Sequence, residues 1–358
     1  MKYFIIAGEP SGDLHGSLLV KEISKLDEQA IFKGVGGEKM QQSNVELLFG
    51  LDSLAFMGFW EVIKNLFTIL LNFFKIKKSI LHFQPDVVIL IDYPGFNLRM
   101  AKWCKKKGFK VAYYISPTIW AWHESRVEII KKCVDLMLCI LPFEPDFYQK
   151  HQYQHAHYVG HPLLDIIDIN TNKLQSSTAN KKHIALLPGS RKQEISNLLP
   201  IMLDVANNFP NEKFVIAGLS RLTNFYIDSI PQNVSFHFDA TYETLQLAKA
   251  ALVCSGTATL ETALFNIPQV VMYKTSWLNY QIGKRLAKVQ FISLPNLIAN
   301  QKLVDEWIQD DCTTTNCKTS LEHCLNVSGN NFYSSLFEKM EKREASQNAA
   351  SLIFNLIA

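Results

Sequence analysis

The chain has 358 residues, of which 48% are hydrophobic, and its formal net charge is +3. This length accommodates two α/β domains with large cores, and the small net charge gives no argument for a nucleic-acid partner. Seven cysteines lie without Cys-x-x-Cys pairs or histidines at zinc spacing, which favours reduced thiols in a cytosol over disulfides or a structural metal. We expect neither a signal peptide nor a transmembrane helix, because the first apolar run is short and no later one reaches spanning length.

The first predicted strand, Lys2–Ala7, is followed by a glycine-rich loop, Gly8–Gly16, and then by a helix over Ser17–Leu26. A doubly wound sheet brings its ligand to loops at the carboxyl ends of its strands. This loop carries four candidate functional side chains, Glu9, Ser11, Asp13 and His15. The alternative is that Ser11 and Asp13 only cap the turn and the helix.

Residues Leu47 to Phe83 form an unusually apolar stretch accompanied by lysines. One helix face follows 3- and 4-residue spacing, and its members are Trp60, Ile63, Phe67, Leu70, Leu71 and Phe74. Further aromatic residues lie off that face, so a single stripe facing the core does not account for all of them. A helix of this kind suits a membrane interface or a site for acyl chains. The alternative is a buried helix packed on a large sheet.

A continuous apolar run over Pro85–Ile91 predicts a buried parallel strand. It ends in Asp-Tyr-Pro-Gly-Phe-Asn at residues 92–97. An acid at the carboxyl end of a central strand is placed to reach a ligand, so Asp92 is our candidate general base. The alternative is that Asp92 caps the Pro-Gly turn.

Two further strands are predicted in the first half, over Lys110–Ile115 and Cys133–Leu141. Trp120 and Trp122 lie in the loop after the first of them, and Arg126 begins a helix. Two tryptophans in such a loop favour a pocket wall, with a plain core cluster as the alternative.

The stretch from Lys181 to Asn197 predicts a strand, a tight turn and a helix N-terminus. The turn contains Gly189 and Ser190 and exposes Arg191. Free backbone N–H groups, the helix dipole and a guanidinium fork together suit the oxygens of a diphosphate. The alternative is an ordinary strand-to-helix turn whose arginine is solvated.

A second turn of this kind follows the apolar residues Ala251–Val253. It carries small and hydroxyl side chains at Ser255, Gly256, Thr257, Ala258 and Thr259. Glu261 falls inside the following helix, where a carboxylate can accept both hydroxyls of a ribose. The alternative is a serine-capped helix with an exposed glutamate. Together the two turns favour a nucleotide diphosphate over an inorganic anion.

The second half repeats the alternation of strands and helices, with strands predicted at 184–187, 214–217, 234–238, 251–253 and 270–273. Lys274 follows the last of these strands and adds charge to the diphosphate site, and Leu294–Ile298 is a turn near the same cleft. We therefore expect an α/β protein with two Rossmann-like, doubly wound parallel-sheet domains that face a central cleft. Their expected bounds are residues 1–165 and 183–330, with a polar linker at 166–182. Residues 331–358 are expected to form a helix that packs on the first domain or on a partner subunit.

Seven motifs lie in collinear order at residues 7–13 (AGEPSGD), 91–97 (IDYPGFN), 116–122 (SPTIWAW), 159–163 (VGHPL), 187–191 (LPGSR), 255–261 (SGTATLE) and 294–298 (LPNLI). This set, which covers nearly the whole chain, resembles that of the lipid-A-disaccharide synthases, bacterial inverting glycosyltransferases of the GT-B fold. Pro10 stands where the family usually carries alanine, and it should stiffen the first loop.

The resemblance implies that UDP-2,3-diacylglucosamine donates its sugar to the 6-hydroxyl of 2,3-diacylglucosamine 1-phosphate, with release of UDP. It implies that Asp92 deprotonates the acceptor, with Glu9 and Asp13 as further catalytic candidates. Arg191 would offset charge on the departing UDP, and Glu261 would hold the ribose. The implied acceptor or sugar pocket consists of Ser11, His15, Asn97, Trp120, Trp122, Arg126, His161 and Asn296.

No metal or other cofactor is expected, because Arg191, Lys274 and helix N-termini can carry the charge of the leaving group. The resemblance also suggests a cytoplasmic protein attached peripherally to the inner face of the cytoplasmic membrane. The apolar end Ile353–Ala358 suits packing on a second subunit, as in a homodimer, or on the first domain. Three alternatives stay open: another GT-B enzyme such as a UDP-N-acetylglucosamine transferase or 2-epimerase, a non-enzymatic lipid- or nucleotide-binding protein, and an α/β protein whose Gly-Ser turns are only caps.

Overall fold

The computed structural model describes residues 1–51, 66–167, 181–226, 230–286, 289–326 and 332–358. The chain divides into two compact units. Unit 1 contains Met1–Asp165 and Lys342–Ala358, and unit 2 contains Ile166–Glu341. Most of the expected linker, 168–180, lies outside the described residues, as do Trp60 and Ile63 of the apolar face.

Strands and helices alternate along unit 1. In chain order they are β1 (Lys2–Ala7), α1 (Pro10–Leu26), β2 (Ile31–Val35), α2 (Glu38–Gln42), β3 (Val45–Leu47), α3 (Leu66–Phe83), β4 (Val87–Ile91), α4 (Pro94–Lys106), β5 (Lys110–Tyr114), α5 (Ile119–Trp122), α6 (Val127–Cys133), β6 (Leu136–Cys139), α7 (Glu144–Lys150) and β7 (Ala156–Tyr158).

Unit 2 follows the same alternation, and the chain then returns to unit 1 with its last helix. The elements are β8 (His183–Leu187), α8 (Lys192–Asn207), β9 (Phe214–Gly218), β10 (Val234–Phe238), α9 (Thr241–Gln246), β11 (Ala248–Cys254), α10 (Thr257–Leu264), β12 (Gln269–Tyr273), α11 (Trp277–Leu286), α12 (Leu294–Ala299), β13 (Asp305–Ile308), α13 (Thr314–Asn326), α14 (Ser334–Lys339) and α15 (Ala345–Ile357).

Each unit is built on one parallel sheet. Unit 1 has the strand order β3-β2-β1-β4-β5-β6-β7, and unit 2 has β10-β9-β8-β11-β12-β13. Every pairing between neighbouring strands is parallel. In both sheets the order reverses beside the first strand, which is where doubly wound folds bind their ligands. The two parallel α/β sheets predicted from the sequence are thus confirmed.

Helices cover both faces of each sheet. In β1, Phe4 and Ile6 lie in a core cluster with α3, α4 and α6, whereas Tyr3 and Ile5 lie in a cluster with α1 and α15. Unit 2 alternates in the same way along β8, whose even-numbered residues pack with α8 and α13. Because side chains of a strand point alternately to the two faces, a continuous apolar strand is what such a sheet requires. The last helix, α15, packs on α1 of its own unit.

Helix α1 begins at Pro10, so the expectation of a loop up to Gly16 is wrong. Proline fits the first position of a helix, where its missing N–H has no intrahelical partner. The glycines, which suggested a loop, allow close packing instead: a Cβ on Gly12 would lie 3.3 Å from the Cβ of Ala7, and one on Gly16 would lie 2.7 Å from the sulfur of Met40.

Other differences from the sequence-based expectations are local. Leu294–Ala299 is a helix, not a turn, and β6 is shorter than the run from Cys133 to Leu141. The short outer strands β3, β7 and β13 were not predicted. Edge strands are short and less apolar than central ones, so their sequences carry little signal.

Gly34→Ala should destabilise unit 1 strongly, because a Cβ on Gly34 would lie 1.9 Å from the carbonyl oxygen of Ile5 on the paired strand β1. We expect a loss of about 3 kcal/mol or more in the free energy of unfolding, measured by urea titration. Gly50→Ala is the matched control, since no heavy atom of the described residues lies within 4 Å of a Cβ there. Equal unfolding midpoints for the two variants would contradict the prediction.

Candidate active site

The turn between β4 and α4 holds Asp92 in a strained backbone conformation. Asp92 and Tyr93 have φ of 46° and 48°, and two successive non-glycine residues in the left-handed region are uncommon. Asn97 Nδ2 donates to the carbonyls of Ile91 at 3.1 Å and Asp92 at 2.8 Å, and the Tyr113 hydroxyl donates to the latter at 2.6 Å. The turn is therefore fixed from two elements, and Asn97 serves as its support.

The carboxyl group of Asp92 is partly buried at the carboxyl edge of the sheet. Burial, and then the negative charge of Glu9, raise its pKa to about 6, partly offset by a backbone hydrogen bond from Tyr93. At neutral pH this group is ionised, yet it is a stronger base than an ordinary aspartate. That combination suits a general base.

Glu9 lies close enough to Asp92 for its charge to act on that carboxyl, because the turns after β1 and β4 pack against each other. Glu9 is the N-cap residue of α1, directly after the neighbouring strand. A Cβ on Gly8 would lie 2.5 Å from the ring of Tyr93, so the tyrosine packs directly on the backbone of the β1 turn. Glycine at position 8 thus permits the approach of the two turns.

Asp13 makes contacts of a structural kind. Its Oδ1 accepts hydrogen bonds from the N–H groups of Gly37 at 2.7 Å and Met40 at 3.0 Å, and its Oδ2 accepts one from Lys39 at 3.1 Å. The side chain is buried and caps the start of α2. Of the two roles that the sequence left open for Asp13, these contacts favour the structural one.

Two histidines of unit 1 are neutral because they are buried. Burial, with the charge of Lys39, lowers the pKa of His15 to about 4, and burial, with the proximity of His15, lowers that of His161 to about 3. His161 Nδ1 accepts a hydrogen bond from the N–H of Leu163 at 3.2 Å. His15 Nδ1 is buried and has no protein partner among the described residues. Ser11, one turn earlier on α1, is exposed.

The segment from Ser116 to Trp122 presents its two tryptophans differently. Trp120 Nε1 donates to Oε1 of Glu144 at 3.1 Å, which anchors that ring, whereas Trp122 is 51% exposed. Arg126 lies in the short turn before α6, close enough for its charge to act on the Tyr113 hydroxyl. Of Trp120, Trp122 and Arg126, the side chain most accessible to a ligand is therefore Trp122.

Glu144 is a buried acid that the sequence analysis missed. Besides Trp120, the N–H groups of Ile140 and Leu141 donate to Oε2 of its carboxyl group, and burial raises its pKa to about 8. Glu144 thus joins Trp120 to the residues that follow β6 by hydrogen bonds. Nothing in Pro-Phe-Glu at 142–144 distinguishes it from an exposed helix-start glutamate.

Helix α3 exposes an apolar face to solvent. The exposed fractions are 74% for Phe67, 63% for Phe74, 47% for Leu70 and 44% for Leu71. On the opposite side of the helix, Ile76 and Ile80 are fully buried in the core cluster of unit 1. Among the described residues, no helix combines the length and apolarity needed to cross a membrane.

In unit 2, the turn before α8 is closed by its own acid. Ser190 and Arg191 donate their N–H groups to Oε2 of Glu194 at 2.9 and 3.1 Å, and Arg191 Nη1 lies 3.2 Å from Oε1. Gly189 has a φ of 113°, and a Cβ there would lie 2.5 Å from Glu194 Oε2. The expectation that these N–H groups are free is therefore wrong, although the guanidinium of Arg191 is largely exposed.

The turn before α10 has the opposite character. Gly256 is its N-cap residue with a φ of 152°, and no side chain in the described part of the chain caps the helix. Ser255 and Thr259 donate their hydroxyls to the carbonyls of Ile292 and Gly256. No heavy atom of the described residues lies within 4 Å of a Cβ placed on Gly256, so there is room for a ligand beside the backbone at the start of α10. The first N–H groups of a helix without a side-chain cap, here at Thr257 and Ala258, suit an anion.

The remaining candidates of unit 2 differ in how free their side chains are. Glu261 is partly buried on α10 and accepts a hydrogen bond from the Tyr242 hydroxyl at 3.1 Å. Lys274 directly follows β12, and its carbonyl accepts a hydrogen bond from Asn197 of α8. Asn296 is fully buried and engaged on both side-chain atoms by Leu303, Val304 and Glu306, which favours a structural role.

Comparison with known proteins identifies the family. The family model for lipid-A-disaccharide synthetase matches residues 3–354. The chain belongs to the lipid-A-disaccharide synthase family. It is 38% identical to the lipid-A-disaccharide synthase of Trichlorobacter lovleyi over 87% of this chain and 85% of that one, and 36% identical to that of Coxiella burnetii over 99% and 98%. The Idiomarina loihiensis enzyme is 41% identical over 87% of this chain and 86% of its own.

Solved structures of lower identity share the fold. The UDP-GlcNAc 2-epimerase of Neisseria meningitidis bound to UDP-GlcNAc superposes with a TM-score of 0.70 at 13% identity, covering 100% of this chain and 99% of that one. The calicheamicin glycosyltransferase CalG4 gives 0.61 at 13% identity, covering 99% and 97%. These structures show the fold, and membership of the family shows the class of activity: the protein is a glycosyltransferase with the GT-B fold, as its motifs predicted.

Glu9→Gln should lower the pKa of Asp92 from about 6 towards its ordinary value, because it removes the nearby negative charge that disfavours ionisation. Carbon-13 NMR titration of protein labelled at aspartate carboxyls measures this. Glu22→Gln, on the same helix but paired with Lys25, should leave the titration unchanged. An unchanged Asp92 titration in Glu9→Gln would show that burial alone sets its pKa.

Glu194→Ala should lower the free energy of unfolding of unit 2 by about 1 kcal/mol, because it removes the acceptor for two N–H groups at the start of α8. Glu194→Gln should retain most of this stability, since an amide oxygen accepts the same bonds. Urea unfolding measures both, with the surface variant Glu322→Ala as the control. An alanine variant as stable as wild type would show that the cap contributes nothing.

Proposed function

We propose that this protein transfers the sugar of UDP-2,3-diacylglucosamine to the 6-hydroxyl of 2,3-diacylglucosamine 1-phosphate. The products are the β-1,6-linked lipid A disaccharide 1-phosphate and UDP. Membership of the family supports this reaction. The observation that carries the mechanism is the partly buried, rigidly mounted Asp92, whose pKa of about 6 suits a base at neutral pH.

Asp92 acts as the general base on the acceptor. As the 6-hydroxyl oxygen attacks the anomeric carbon of the donor, its proton passes to Asp92, and the bond from that carbon to UDP breaks. The electron pair of the broken bond leaves with the diphosphate, and attack from the opposite face inverts the configuration. Glu9 does not take part in this transfer; its charge keeps Asp92 basic.

The diphosphate of the donor binds at the start of α10. The uncapped N–H groups there, the exposed guanidinium of Arg191 and the ammonium of Lys274 supply the positive charge that a departing UDP requires. Glu194 keeps its place as the cap of α8 and holds the backbone from which Arg191 extends. Glu261 accepts the ribose hydroxyls.

The acceptor is held by unit 1. A neutral imidazole has one donor and one acceptor nitrogen, and both His15 and His161 are neutral. Because His161 Nδ1 already accepts from Leu163, its Nε2–H is the group that can donate to a sugar hydroxyl. Trp122 offers an exposed ring and Arg126 a positive charge beside the Asp92 turn. Ser11 and Trp120 are the other two residues that we assign to the acceptor.

The exposed face of α3 binds the membrane that holds both lipid substrates. Phe67, Leu70, Leu71 and Phe74 are the apolar part of this face, and lysines accompany them on the helix. Apolar side chains beside lysines suit peripheral attachment to a surface of anionic lipids. We place this attachment at the inner face of the cytoplasmic membrane.

The reaction is tested with both lipid substrates in detergent, by following UDP release and the lipid product together. Equal amounts of UDP and disaccharide 1-phosphate are expected. UDP binding without disaccharide would contradict the proposed acceptor. Release of UDP without an acceptor present would indicate hydrolysis of the donor, and conversion to an epimeric UDP-sugar without net UDP release would indicate an epimerase, instead of transfer.

Arg191→Ala should weaken UDP binding about tenfold or more, since a charge-assisted hydrogen bond contributes roughly 1.5–3 kcal/mol. Isothermal titration calorimetry with UDP measures this. Lys192→Ala is the matched control, because it removes a neighbouring positive charge whose ammonium group lies over the ring of Phe225, 4.3 Å from the centroid. Wild-type affinity in Arg191→Ala would remove the arginine from the diphosphate site.

Replacement of Phe67, Leu70 and Phe74 by serine should release the protein from vesicles that contain an anionic phospholipid. All three side chains are more than 45% exposed, so the melting temperature should stay unchanged. Replacement of the exposed Leu26 and Ile31 by serine, also in unit 1, is the control. Vesicle binding that survives the triple substitution would exclude this face as the attachment surface.

A further inference from the structure

Tyr242 is a residue of unit 2 that no sequence motif singled out. It lies in the first turn of α9, and its hydroxyl donates to Oε1 of Glu261 on α10 at 3.1 Å. Its ring packs against Phe265, with centroids 5.7 Å apart and planes inclined by 38°. Phe265 is the C-cap residue of α10 and follows Glu261 by one helical turn. The same segment therefore carries the carboxylate that Tyr242 binds and the ring against which Tyr242 packs.

A ribose offers two adjacent hydroxyl donors, and a carboxylate accepts both only when it is ionised and correctly turned. Burial of Glu261 raises its pKa, which works against the ionised form, whereas the hydrogen bond from Tyr242 lowers it. The same bond restricts rotation of the carboxyl group about its last torsion. Tyr242 therefore favours both the charge and the orientation that ribose binding needs.

We infer that Tyr242 is a positioning residue for the ribose of the donor nucleotide, acting through Glu261. This rests on the proposed function, in which Glu261 accepts the ribose hydroxyls. The tyrosine pre-orders the carboxylate before the nucleotide arrives, and Phe265 fixes the tyrosine ring. Affinity for the ribose then depends on a hydroxyl that does not itself contact the nucleotide.

The test compares UDP with 2′,3′-dideoxy-UDP, which lacks both ribose hydroxyls, by isothermal titration calorimetry. Tyr242→Phe removes the hydroxyl and keeps the ring that packs on Phe265. We expect it to weaken UDP binding about fivefold, the order expected for loss of one hydrogen bond to a charged group, and to leave dideoxy-UDP binding unchanged. Glu261→Gln should also weaken UDP selectively. In that background, Tyr242→Phe should have little further effect.

Tyr333→Phe is the control, because it removes another buried hydroxyl of unit 2, one that donates to Ile267 and accepts from Gln269. It should lower the melting temperature without changing the ratio of the two affinities.

Each contrary outcome has a separate meaning. If Tyr242→Phe weakens both nucleotides equally or neither, Tyr242 is not a positioning residue, while Glu261 keeps its role. If Glu261→Gln itself fails to discriminate between UDP and dideoxy-UDP, the ribose contact is wrong, and the inference falls with it.

Discussion

The left-handed turn at Asp92 and Tyr93 is the constraint on which the account of unit 1 depends. Each residue in such a conformation costs roughly 1–3 kcal/mol, so the surrounding structure must hold it in place. Asn97 and Tyr113 do so by hydrogen bonds to the turn carbonyls, and Gly8 does so by giving the Tyr93 ring room. The held turn sets the direction in which the Asp92 carboxylate points at the carboxyl edge of the sheet. For a catalytic group, a small error of position lowers the reaction rate greatly.

The two phosphate-type turns of unit 2 have the same sequence character and opposite structures. The carboxylate of Glu194 accepts the N–H groups of the first turn, whereas in the second turn no side chain of the described residues caps the start of α10. A bound anion can add hydrogen bonds only where donors are unpaired, which is why we propose the second turn as the site of the diphosphate. In our proposal the first turn contributes through the exposed side chain of Arg191 instead of through its backbone.

The sequence predicted the central strands well, because a strand buried on both faces is continuously apolar, as in β1 and β4. It predicted the start of α1 poorly, since Gly12 and Gly16 suggest a loop locally and serve tight packing in three dimensions. The candidate site residues were predicted from motifs, but the side chains that hydrogen-bond to them were not. Glu194 accepts a hydrogen bond from within the turn before its helix, and Tyr242 donates one to Glu261 on the next helix. Such pairings leave no periodicity or spacing in the chain.

The central claim is that Asp92 is the base and takes no part in holding the nucleotide. Asn is nearly isosteric with Asp and tolerates left-handed backbone, so Asp92→Asn removes the base and preserves the turn. The most direct measurement is the rate of disaccharide formation by this variant, alongside its affinity for UDP. The account predicts a loss of roughly 10²–10⁴ in rate with UDP affinity within about twofold of wild type. Turnover near the wild-type rate would contradict it.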